Sequence, residues 1–151
     1  MSQNTIQPKF DVNVIGQYTK DFSFENPCIL THFSNPEKPE ISVDIQVQAQ
    51  QANEEVYEVE LHVQATAKSK QETLFIVDLR YAGLFKIGTE NSEDIKPFLL
   101  IECPRMLFPF ARSIVANATS DGGYLPLMLN PVNFSDLYQQ QDSTASQPTM
   151  N

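Results

Sequence analysis

Cys103-Pro-Arg-Met-Leu-Phe-Pro-Phe-Ala-Arg112 is where the sequence changes period. Upstream of it, apolar and polar residues alternate in the manner of strands. Downstream of Pro104, Leu107, Ala111, Ile114, Val115 and Ala118 share one face of a helical repeat. A helix this apolar needs a broad surface to cover it, and 151 residues supply one sheet. These positions are therefore read as an assembly helix whose missing partner surface is another subunit. Pro104 and Pro109 predict a short helix over 93–96, capped by Ser92, then a break near Cys103. The main helix then runs from about Arg105 to Thr119, and Asp121-Gly-Gly123 ends it.

Working back from the pivot, the alternation predicts four strands. In the first, Phe10, Val12, Val14, Tyr18, Phe22 and Phe24 share one parity, and Asp21 and Glu25 the other; Gly16 marks a bulge. Residues 26–40 hold Pro27, Pro36 and Pro39, so no regular element fits. That connection nevertheless carries Ile29, Leu30 and Phe33, which a solvated loop does not need. Ile41, Val43, Ile45 and Val47 line a second strand, and Tyr57 to Ala67 a third. In the fourth, Thr73, Phe75, Val77, Leu79 and Tyr81 face one way and Ile76 and Asp78 the other, before Gly83 and Gly88 break it. Short turns make strands two to four an antiparallel meander, and the long first connection lets strand one pair elsewhere, as in a Greek key. Beyond the pivot, Asn133 caps a short helix with Phe134, Leu137 and Tyr138 on one face. Residues 1–9 and 139–151 are polar and read as disordered ends of a single domain over 10–138.

A net charge of −9 argues against a phosphate-binding surface and favours basic partners. The N-terminus has neither the basic start nor the apolar core of a signal peptide, and no apolar run is long enough to span a bilayer. Composition therefore predicts a soluble, cytoplasmic protein with two free thiols, Cys28 and Cys103.

Signatures of catalysis are scarce. There is no nucleophile elbow, no phosphate-cradling glycine loop and no zinc-protease helix. Cys28 and His32 supply two metal ligands without a second pair, so no metal or cofactor is expected. Cys103 reads either as a thiolate at a helix start or as a buried inert thiol. His62 stands on an outward strand face beside Glu58 and Glu60, where solvation outweighs catalysis. Ile76 on an outer face is either scattered surface or part of a contact. Negative charge on a sheet face, unspent apolar residues and an over-apolar helix describe a binding and assembly protein. A carrier of small hydrophobic ligands and a carboxylate-based enzyme are the rival readings.

Three motifs sharpen this reading. Tyr18-Thr-Lys-Asp-Phe-Ser-Phe-Glu-Asn-Pro27, the pivot itself and Pro131-Val-Asn-Phe134 closely resemble, in order, the bacterial SecB protein-export chaperones. The resemblance implies an α+β subunit: a four-stranded antiparallel sheet, Greek-key-like, with a long helix and a short C-terminal helix packed on one face. It implies a homotetramer, a dimer of dimers, that holds unfolded precursor proteins and delivers them to the SecA motor ATPase, using no nucleotide or metal. SecA contacts fall on Asp21, Glu25, Ile76 and Asp78, positions that alternation already turns outward. Client grooves bordered by the first loop and the C-terminal helix fall on Ile29, Leu30, Phe33, Phe134, Leu137 and Tyr138. The tail departs from the family, being short and without acids beyond Asp142.

Overall fold

A computed structural model describes residues 11–88 and 92–146, except for the side chains of Ser92 and 142–146. The expectations for Phe10, for residues 1–9, for the Ser92 cap and for 147–151 lie outside the described residues. Strands β2 (Glu40–Asn53), β3 (Val56–Ser69) and β4 (Glu72–Gly88) form the antiparallel meander. Strand β1 (Asp11–Glu25) crosses over to pair with β4, giving the order β1-β4-β3-β2. This is the arrangement that the long first connection predicts.

The inner face of the sheet is the core. Val59, Leu61, Val63 and Ala67 of β3 meet Phe75, Val77, Leu79 and Phe85 of β4, and helix α3 (Cys103–Asp121) lies across them. Burying each large side chain contributes roughly 1.5–3 kcal/mol. At Gly83 a Cβ would stand 3.0 Å from Leu107 Cδ2 and 2.9 Å from the Phe85 ring, so helix and sheet approach closely there. The absent side chain lets the helix settle, and β4 continues through Gly83 to Gly88 instead of breaking there. Of the residues read as an assembly helix, Leu107, Ala111 and Val115 are fully buried against their own chain, and Ile114 and Ala118 are half-buried.

The entry to the helix differs from the predicted break. Helix α2 (Ile95–Pro97) leads through a π-helical turn (Phe98–Glu102) straight into α3. Glu102 and Cys103 keep helical dihedrals, and the Cys103 N–H bonds back to the Phe98 carbonyl, one residue further than in an α-helix. We attribute the continuity to this wider turn, which makes room for the Pro104 ring that would otherwise press on the preceding turn. Pro109 is accommodated inside α3.

Strand β1 is also less simple than its alternation. Extra residues at Ile15 and Lys20 interrupt its register with β4. Each bulge shifts the side-chain phase by one residue. Between them Gln17 and Thr19 face inward, opposite Gly83 and Tyr81, and Tyr18 faces outward opposite Ala82. Tyr18 is thus no core residue; after the second bulge Phe22 and Phe24 return to the inner face. The proline-rich connection holds a short helix, α1 (Ile29–Ser34), where none was expected. The C-terminal helix α4 (Phe134–Ser146) extends past the predicted stop at Gln139. Asn133 Oδ1 caps it by accepting the Asp136 N–H at 3.1 Å, and glutamines at 139–141 are good helix formers once the first turns are fixed.

Candidate functional site: an acidic sheet face and an apolar subunit surface

On the outer face, pairing between β1 and β4 sets Glu25 opposite Ile76, Ser23 opposite Asp78 and Asp21 opposite Arg80. The sequence-predicted residues Asp21, Glu25, Ile76 and Asp78 therefore share one face and one pair of strands. Asp78 is held from β3, with His62 Nε2 at 2.8 Å and Gln64 Nε2 donating at 3.3 Å. Asp21 and Glu25 are exposed and, among the described residues, meet no cation.

Further along the same face the charges cancel. Lys20 reaches Glu58 at 2.8 Å and Glu60 at 3.5 Å, and Arg80 Nη1 reaches Glu60 Oε2 at 2.9 Å. Tyr18 donates to Glu58 Oε2, and Gln50 donates to Glu58 Oε1 at 3.1 Å. Hydrogen bonds from Lys20 and then Tyr18 hold the Glu58 carboxyl below its usual range. Burial, then Glu58, pushes the Tyr18 hydroxyl up to about 12. Glu60 is buried although its parity and charge mark it as an outward residue, because Lys20 and Arg80 fold over it. No sequence signal announced that network; it depends on the β1 bulges that bring Tyr18 and Lys20 onto this face.

The apolar candidates separate into two places. Helix α1 packs on the end of α3, beside Gly122 and Gly123, and leaves Leu30 78% and Phe33 64% exposed. Leu125, just after that turn, is 91% exposed. Helix α4 lies against the other half of α3, where the Phe134 ring meets Phe108 edge-on at 5.9 Å and Arg105 Nη2 donates to Ser135 Oγ at 3.2 Å. Phe108 and Gly122 are about 21 Å apart along the helix axis. Phe134, 1% exposed, is core and not a groove residue; Leu137 and Tyr138 are half-buried. Within one chain the first-loop and C-terminal candidates do not form one continuous groove.

Unspent apolar surface also runs along the inner margin of β1. Val14 and Phe22 are exposed there, and Phe110 of α3, half exposed, stacks on Tyr81 at 6.1 Å. Arg112 Nε nearby on α3 is buried without an acceptor among the described residues.

The chemistry of the rival readings is weak in this setting. Cys103 is fully buried, and burial followed by Glu102 pushes its thiol up to about 12, far from a reactive thiolate. A hollow of about 960 Å³ beside β2 is lined by Lys20, Glu58, Glu60 and Arg80 as well as Ile95 and Leu99. Its charges pair with one another, which suits neither a purely apolar ligand nor a free catalytic carboxylate.

Known proteins match this arrangement. The family model described as preprotein translocase subunit SecB covers residues 3–145. The protein-export protein SecB of Maricaulis maris is 48% identical over 131 residues, covering 86% of this chain and 76% of its own. That of Rhodopseudomonas palustris strain BisA53 is 44% identical over 134 residues, covering 88% and 83%. Among solved structures, the Mycobacterium tuberculosis SecB-like chaperone, in complex with a peptide from the HigA1 antitoxin, shares the fold. Its TM-score is 0.65 at 13% identity, covering 80% of this chain and 90% of that one. No helix among the described residues is long and apolar enough to cross a membrane. With matches over nearly its whole length, this chain belongs to the SecB family of protein-export chaperones, not to a family of enzymes.

Proposed function

We propose that this chain holds unfolded precursor proteins ready for translocation, without ATP, and passes them to the SecA motor as a cytoplasmic homotetramer. The observation that carries the client reading is the exposure of Leu30, Phe33 and Leu125 at one end of the subunit. A folded monomer gains nothing from large apolar side chains left in water, whereas an extended client can cover them. Clients must be unfolded, because folding hides the segments that bind. Selection is then kinetic: slow folders are caught and fast folders escape. The peptide carried by the mycobacterial chaperone is in keeping with this reading.

The acidic end of the outer face is assigned to SecA. Asp21 and Glu25, which meet no cation among the described residues, and Asp78, held by His62 and Gln64, surround Ile76 as an acidic patch with an apolar centre. Such a patch suits a basic segment and predicts weakening by salt. Assembly is assigned to the inner margin of β1 with Phe110, and to the acceptor that Arg112 Nε lacks. The test is to mix the protein with a slow-folding precursor and, separately, with its native form. Binding of the unfolded form alone is expected; equal binding of both overturns the reading.

A further inference from the structure

Helix α1 has six residues and none of them is buried. A helix this short does not persist in water by itself, because nucleation costs more than one turn returns. Something outside it must hold it, and the contacts converge on the turn that ends α3. Asn26 Nδ2 donates to the Gly122 carbonyl at 2.8 Å, and the Tyr124 hydroxyl donates to Asn26 Oδ1 at 2.7 Å. The Leu74 carbonyl lies 3.3 Å from the same hydroxyl, which ties the assembly to β4. The Tyr124 ring lies 4.8 Å from the His32 ring and 4.9 Å from Phe75. Burial, and after it Cys28, raises the Tyr124 hydroxyl above its ordinary range, so it stays protonated as a donor.

The two glycines make the platform. At Gly122 a Cβ would come within 2.6 Å of the Phe24 ring. Gly123 has φ +98°, and a Cβ there would stand 3.0 Å from Phe33 and 3.1 Å from Ile29. Side chains at these positions would thus push on β1 and on α1 itself.

We propose that Gly122, Gly123 and Tyr124, with Asn26, are positioning residues for client capture: they moor α1 so that Leu30 and Phe33 are presented as a preformed apolar surface. A moored helix has already met the ordering cost that a loose loop would charge against client binding. The inference rests on the client reading above and deepens it.

The experiment compares Tyr124→Phe with Phe33→Ala in the full chain, using an unfolded precursor as the probe. Tyr124→Phe removes the hydroxyl and keeps the ring on His32 and Phe75. It is expected to speed amide exchange at His32 and Asn35, whose N–H groups close the helix onto Cys28 and Thr31. Precursor affinity should fall roughly fivefold, the worth of about one net hydrogen bond. Exchange in β3 and β4 and binding of SecA should not change. Asn26→Asp, which keeps the acceptor for Tyr124 but sets a carboxylate oxygen against the Gly122 carbonyl, should show a loss of the same kind. If Phe33→Ala weakens the precursor and Tyr124→Phe does not, or loosens α1 without affecting affinity, the mooring inference is overturned. If Phe33→Ala leaves precursor affinity intact, the client reading of α1 fails instead.

Discussion

On the inner face of β3, Val59, Leu61 and Val63 are fully buried beneath α3; one residue along, on the outer face, stand Glu58, Glu60 and His62. The same strand therefore serves two economies. Inside, stability comes from area removed from water and does not depend on pH. Outside, it comes from paired charges, and the pairing stops at Asp21 and Glu25, which meet no cation among the described residues. This difference separates three tasks. On the proposed function, the inner face folds the subunit, its β1 margin serves assembly, and the acidic end of the outer face serves SecA.

Truncation inside should have the largest effect. Leu107→Ala removes a fully buried side chain between helix and sheet and should cost about 2–5 kcal/mol in urea unfolding at fixed protein concentration. A loss below about 1 kcal/mol would mean that Leu107 is not core. At the margin, Phe110→Ser should leave urea stability of the subunit nearly unchanged, since the side chain is half exposed. It should instead lower the proportion of tetramer seen by native mass spectrometry on dilution. Equal tetramer in both proteins would place assembly elsewhere.

The outer network should give the smallest effects, and they should depend on pH. Tyr18 in the folded chain is raised from 10.0 to about 12, so its contribution is complete below about pH 10 and is lost as pH rises towards 12. Lys20, raised chiefly by its hydrogen bond to Glu58, titrates in the same alkaline direction. Glu58 has the opposite sign: its folded value is lowered, so its contribution is present above about pH 4.3 and fades as pH falls through the folded value. Tyr18→Phe should flatten the alkaline limb of a stability-against-pH curve and leave the Leu107→Ala difference unaltered. An unchanged alkaline limb would contradict the Tyr18–Glu58 pairing.

Much of this was legible from periodicity. The meander and the outward turn of Asp21, Glu25, Ile76 and Asp78 follow from alternation, the Greek-key crossover from the long first connection, and the short helix at Asn133 from its cap. The rest escaped for physical reasons that lie outside a period. Two bulges cancel in β1, so its ends obey the alternation while Gln17, Tyr18 and Thr19 violate it. Helix α1 leans on Gly123, nearly a hundred residues away, a contact that no local propensity encodes. Pro104 reads as a helix breaker, yet a single widened turn lets the helix pass. Phe134 looked like a groove residue and is core, because apolar spacing alone does not say which neighbour covers a face.

The separation of surfaces is tested most directly by one retention assay. Immobilised protein carrying Asp21→Lys and Asp78→Lys is offered SecA and, separately, an unfolded precursor. Reversing both charges should weaken SecA at least about tenfold while the precursor is held as by the unaltered chain. Loss of the precursor together with SecA, or SecA retained at full strength, would contradict the account.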